Sequence, residues 1–357
     1  MTTSAPRDIT TEAALMLRSI GPGVALAALI AVVALLLAHV AEPFLVVPPI
    51  LAALLIGMAL HPLAMRTIFG RGLTFCVKTL LRWAVALLGL RISLGEIVLL
   101  GATTAATVIG AMLITLGVAI ALAPLLGLTR PFSALAGAGT AVCGASATLA
   151  TATVLPDYPE KDRDVIYVVL LVNALSTVAM LAYPPLCAWL HLDAQQAGVL
   201  LGGTIHDVAQ VVGAGFSVSP EVGDTSVIVK LFRVFLLLPV VLAIGYWLGR
   251  RPAHPDKARP RVSAARVATP GFALAFLALC LLNSTVDWLP SLAPGYVVLK
   301  GWLLLVSQWG LLVAIAALGL GTSFAALRGI GWRQFAMLTA TSLAILGAVL
   351  TQLMWLR

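Results

Sequence analysis

About eleven apolar runs, each roughly 18 to 28 residues long, fill this chain, and a helix needs roughly 20 such residues to span a hydrocarbon core about 30 Å thick. They fall near 21–40, 44–62, 73–92, 98–125, 132–155, 165–190, 197–217, 226–249, 270–287, 302–320 and 333–355. Of the 357 residues, 61% are apolar and 10% charged, whereas a soluble domain carries roughly 25% charged residues. That shortage of charge excludes a soluble enzyme, a nucleic-acid-binding protein and a disordered chain. The expected fold class is an all-α integral membrane protein with about 11 transmembrane segments.

The formal net charge is +8, and the positive-inside rule accounts for it, because basic residues collect in cytoplasmic loops. With the N-terminus in the cytoplasm, eleven crossings put Arg66, Arg71, Arg130, Arg328 and Arg333 inside and the C-terminus outside. The domain reading follows: a cytoplasmic tail at 1–20, a membrane part at 21–249, a basic cytoplasmic linker at 250–268 and a second membrane part at 269–357. The linker, rich in Pro and Arg, is the one clear break in composition. The expected location is the cell inner membrane, with the lipid bilayer as partner and no nucleic acid. Cys76, Cys143, Cys187 and Cys280 are scattered, with neither zinc-site nor disulfide spacing. Two internal similarities hint at a repeat-built transporter: 83–101 aligns with 313–331, and Gly139-Thr140 with Gly203-Thr204.

Two segments, 132–155 and 197–217, break the apolar pattern with small and polar residues. The first contains Gly137, Gly139, Thr140, Cys143, Gly144, Ser146 and Thr148; the second contains Gly202, Gly203, Thr204, His206, Asp207, Gln210, Gly213 and Gly215. Glycine lowers the cost of unwinding a helix, and unwound backbone inside a bilayer must line a cavity or be buried in protein. A half-helix starting at such a break points unpaired N–H groups at the cavity, a geometry that suits an anion. Tight packing through small residues is the competing reading. Asp207 costs at least ~2.5–3.5 kcal/mol near mid-membrane. Either His206 and Asp207 carry a coupling proton, or Asp207 is a counter-ion that holds the break in shape; the residues leave both open. Lys230 and Arg233 lie three apart in the next run, on one helix face. Lys230 is a counter-charge near enough to the run's start to snorkel, and Arg233, deeper, is expected to face the cavity. The expected substrate contacts are therefore Thr140, Cys143, Gly144, Ser146, Thr204, Gln210 and Arg233, with Ser323 at the rim. The chain lacks G-x-S-x-G and H-E-x-x-H. No enzyme, cofactor or metal site is expected.

GAGTAVCGASATLATATVL, GGTIHDVAQVVGAG, the Lys230-Leu-Phe-Arg233-Val run and the LLGLRISL stretch ending at Leu94 resemble the signature segments of the YeiH-type membrane proteins. That family is commonly labelled a sulfate exporter family and is grouped with the cation/proton antiporter and anion transporter superfamily. The resemblance implies inverted repeats, a scaffold plus a core domain, and discontinuous helices crossing near the midplane. It also implies alternating access of the elevator kind and a homodimer. The functional expectation is a secondary transporter exporting a small, sulfate-like anion, coupled to H+ or Na+. Two alternatives stand beside it: a cation/proton antiporter with Asp207 as ion ligand, and a passive anion channel.

Overall fold

The computed structural model describes residues 9–41, 48–249, 271–286, 293–322 and 329–355. The linker at 250–268, the first eight residues of the tail and Ser323 lie outside them. In chain order the helices are α1 (Ile9–Ala41), α2 (Pro49–Ala59), α3 (His61–Ala64), α4 (Thr67–Phe75), α5 (Leu81–Leu87), α6 (Leu94–Leu99), α7 (Gly101–Leu125), α8 (Arg130–Ala141), α9 (Ala145–Val154), α10 (Lys161–Trp189), α11 (Ala194–Thr204), α12 (Val208–Val218), α13 (Pro220–Phe235), α14 (Leu237–Gly249), α15 (Gly271–Val286), α16 (Ala293–Gly321) and α17 (Trp332–Trp355). Among the described residues every regular element is helical. That is what hydrocarbon demands, because a helix pairs its own backbone groups.

Among the described residues, seven helical stretches of 23 to 29 residues, with mean hydropathies of 1.6 to 2.6, are long and apolar enough to span a bilayer. Large apolar side chains face outward: Leu36, Leu113 and Leu343 are 60%, 63% and 59% exposed. In water such a surface would aggregate; in lipid it is solvated. Trp83, Trp189 and Trp302 are also exposed, as residues of an interfacial belt are. The chain is an all-α integral membrane protein.

It divides into two compact units. The first comprises 1–88 and 291–323. Its core joins α1, α2 and α16 through Ala27, Ile30, Ala31, Ala53, Val313 and Ala316. Small residues let these helices approach closely, and Gly57 of α2 lies directly against Gly319 and the Ala316 carbonyl of α16. A π-helical turn at Cys76–Leu80 joins α4 to α5. The Ser307 hydroxyl donates to the Ala84 carbonyl at 2.6 Å, tying α16 to α5.

The second unit comprises 89–290 and 324–357. Its core is built on Phe132, Leu135, Val168, Leu171 and Leu338. The two glycine-rich segments lie here, and neither passes straight through. Gly139 of α8 abuts the Thr148 hydroxyl of α9, although nine residues of straight helix would separate them by about 13 Å. Gly202 of α11 and Gly215 of α12 both abut Ser226 of α13. Each segment is thus a helical hairpin that enters and leaves at one end of the unit. Two of the eleven expected segments are therefore not crossings. The reversals cancel, so the orientation expected after residue 218 is unchanged, while the Asp157–Asp164 loop joins Arg130 at one end of α10.

Gly57→Ala adds only a methyl group, but against backbone that cannot yield, and is expected to destabilise the protein by about 1–3 kcal/mol. Gly70→Ala adds the same group where nothing lies within 4 Å and is expected to gain up to about 1 kcal/mol from helix propensity. Melting of the two purified variants in detergent should move in opposite directions.

Candidate functional site

The tips of the two hairpins meet at the middle of α10. In the first, α8 stops at Ala141 and the chain turns through Val142, Cys143 and Gly144. Gly144 has φ 64° and ψ −128°, a backbone conformation that disfavours any side chain. In the second, Ile205 and Asp207 are extended and His206 lies between them. Gly144 lies against Val172 of α10 and the His206 carbonyl. The Ser176 hydroxyl, one turn further along α10, accepts from the His206 N–H at 3.2 Å and the Asp207 N–H at 3.1 Å.

Ending a helix in mid-membrane strands its last carbonyls. Here they are gathered by two cations on α13. Lys230 Nζ donates to the Val142 carbonyl at 2.8 Å, the Ile205 carbonyl at 3.0 Å and the His206 carbonyl. Arg233 Nε donates to Ala141 O at 3.1 Å; Nη1 donates to Gly202 O and Ile205 O, each at 3.1 Å. Its Nη2 donates to Thr140 O at 2.9 Å and Ala141 O at 2.8 Å. Both side chains are 0% exposed. Their charges sit at the negative ends of two helix dipoles, α8 and α11, which offsets part of a desolvation penalty of several kcal/mol per ion. Lys230 therefore does not snorkel. Arg233 lies in the site but faces backbone carbonyls, with its whole donor set engaged.

The two half-helices that begin at the tips present the opposite polarity. Asp207 caps α12, its carboxylate accepting from the Ala209 N–H at 3.0 Å. At the start of α9 the first amides have no intrahelical partner, and Ser146 there is exposed. Asp207 is partly exposed, and Asn173 of α10 is exposed close by, its carbonyl accepting from Gln210 Nε2 at 3.3 Å. Ser146, Asn173 and Asp207 thus form a polar, accessible patch beside the tips.

The remaining expected residues are buried around it. His206 Nδ1 lies 3.1 Å from the Thr140 carbonyl and Nε2 lies 2.9 Å from Ser342 Oγ. A carbonyl only accepts, so Nδ1 carries a proton, and Nε2 shares its hydrogen bond with the Ser342 hydroxyl, which can donate or accept. The Thr140 hydroxyl donates to Ala136 O at 2.8 Å and that of Thr204 to Leu200 O at 2.6 Å. Both therefore satisfy their own helices. Cys143 and Gly144 are buried at the first tip. Gln210 Nε2 also donates to Thr177 Oγ1 at 2.8 Å, while its Oε1 is buried without a partner. Ser176, Thr177 and Ser342 are site residues that the sequence reading missed. The signal was available in α10, where Asn173, Ser176 and Thr177 share one face of an apolar helix. Ser342 stands in the Thr339-Ala-Thr341-Ser342 cluster of α17, which is visible in the sequence but points to no partner there.

Arg233→Leu strands the carbonyls of two helix ends and is expected to lower stability by at least about 3 kcal/mol. Arg233→Lys keeps the charge but loses the fork, and roughly half that loss is expected. Thermal melting in detergent measures both, and a wild-type melting point for the leucine variant would contradict this role.

The family model described as "Conserved hypothetical protein 698" matches residues 22–338. The UPF0324 membrane protein TauZ of Paracoccus pantotrophus is 43% identical over 324 residues, covering 89% of this chain and 90% of that protein. A UPF0324 membrane protein of Chlorobaculum tepidum is 40% identical, covering 87% of this chain and 83% of its own length. One from Rhizobium meliloti is 39% identical, covering 96% and 94%. No solved structure matches. With this similarity over most of its length and its spanning helices, the chain belongs to the YeiH/UPF0324 family of multi-pass membrane proteins.

Proposed function

We propose that this protein is a secondary transporter that moves a small anion by alternating access, with His206 and Asp207 coupling transport to protons or sodium. The observation that carries the reading is the accessible polar patch of Ser146, Asn173 and Asp207, set among spanning helices where two hairpin tips meet. A polar surface at that depth is stable only where it lines a water-filled path or is covered by protein. The amide end of α9 at Ser146 supplies N–H donors and a positive dipole for an anion. The buried layer adds two formal cations, Lys230 and Arg233, against the single carboxylate of Asp207, which favours negative charge nearby. The substrate is sulfate-like by the family resemblance alone. In this reading Thr140, Thr204 and Arg233 shape the tips, and Ser146 and the α9 amides touch the anion.

A second reading, a cation/proton antiporter, draws on one specific feature. The unpartnered Oε1 of Gln210 lies one turn beyond the Asp207 carboxylate, and two oxygen acceptors suit Na+ better than an anion.

Proteoliposomes loaded with sulfate test the two readings. Wild-type protein is expected to move sulfate in a pH- or sodium-dependent manner. Asp207→Asn is expected to fold, since an amide oxygen can still cap α12, and to lose that dependence. Ser146→Phe, at an exposed position, is expected to block flux without moving the melting point. Sulfate flux with unaltered coupling in Asp207→Asn would remove the carboxylate from the mechanism, and sodium flux without sulfate flux would select the antiporter.

A further inference from the structure

The second unit holds an apolar groove of 370 Å3 between α7 and α14, floored by Ala134 of α8. On α7 it runs from Ile109 to Ile120, and on the other side from Leu236, the residue joining α13 to α14, to Trp247 of α14. Either stretch is about 16 Å of helix, close to the ~15 Å hydrocarbon depth of one leaflet. Its polar lining residue is Ser133, whose hydroxyl already donates to the Arg130 carbonyl at 2.8 Å. Apart from the Trp247 indole at one end, the groove therefore offers little to an anion and little reason for water to enter.

Two arginines stand beyond one end of it, Arg130 one turn from the lining residue Ser133. Ile244 and Leu248 of α14 pack with Phe132, Leu128 and Met337, near the α7–α8 turn and the start of α17. Arg130 stands there, exposed. The Arg333 guanidinium, also exposed, lies against Gly127 of the same turn and stacks over the Trp332 ring at 5.8 Å. Tryptophans and arginines at one level are the signature of the headgroup region. An apolar slot about one leaflet deep, with two arginines in the turn and helix start beyond one end, matches a lipid tail joined to a phosphate.

We propose that this groove is a binding site for an anionic phospholipid, with one acyl chain between α7 and α14 and the phosphate held by Arg130 and Arg333. The site lies apart from the hairpin tips and does not depend on the transport reading.

The test uses the full chain purified in detergent. It is incubated with phosphatidylglycerol or phosphatidylcholine of identical acyl chains, and retained lipid is counted by native mass spectrometry. Wild-type protein is expected to retain phosphatidylglycerol at least fivefold better, since each arginine near a headgroup is worth about 1 kcal/mol, or roughly fivefold. Arg130→Gln with Arg333→Gln should bring the ratio to about one, the larger loss falling on phosphatidylglycerol. Ala243→Trp, which fills the groove, should reduce retention of both lipids at least about fivefold while the lipid-free melting point stays put. Leu113→Trp on the exposed rim gives a second filling variant should the first fold poorly. Equal retention of the two lipids by wild-type protein overturns the proposal. So does undiminished phosphatidylglycerol retention in a folded groove-filling variant.

Discussion

Carbonyl oxygens stranded inside a bilayer are the difficulty around which this molecule is organised. Two helices stop halfway, and each leaves its last acceptors without amide partners. Lys230 and Arg233 answer both at once, because α13 runs beside α11 and brings them to the gap between the hairpin tips. Eight hydrogen bonds from two side chains hold six carbonyls. Hydrophobic packing alone could not hold this shape, because burial of apolar area does not relieve an unpaired acceptor. Replacing the two cations with apolar residues would require the breaks themselves to vanish.

The arrangement sorts polarity in space. Helix ends with negative character point toward α13, where the cations are. Helix ends with positive character point toward the accessible patch, where one carries its own carboxylate at Asp207 and the other opens beside Ser146. A fold-back at each tip makes this separation possible: within a hairpin, one arm ends and the other begins at the same depth. A helix merely unwound and continued would also expose both polarities, but aimed at each other along one axis.

Much of this was legible in the sequence. The membrane class follows from charge content alone. The breaks fall where glycine and polar residues crowd the apolar runs, at Val142–Gly144 and Ile205–Asp207, and the aligned Gly139-Thr140 and Gly203-Thr204 pairs both occupy the final turn before a tip. The fold-back was not legible, because residues at a turn in lipid have the composition of a kink. Nor was the duty of Arg233. A guanidinium that meets carbonyls and one that meets a substrate have the same neighbours in sequence, and only the path of α13 tells them apart. In the sequence Asn173 is a single amide within an apolar run, and its partner Gln210 lies 37 positions away. The polar face of α10 was visible as a spacing but had no assigned target until both tips were found against it.

The distance in sequence between the first tip and its arginine has a consequence for biogenesis. Thr140 and Arg233 are 93 positions apart. During synthesis, α8 and α9 leave the ribosome well before α13 exists. For that interval the first hairpin carries acceptors that lipid cannot satisfy. It must wait near water, in the insertion machinery or at the membrane surface, until the second hairpin and α13 arrive. Final seating of the early hairpin is therefore a late event, and a nascent chain stalled before residue 233 would hold an unfinished core.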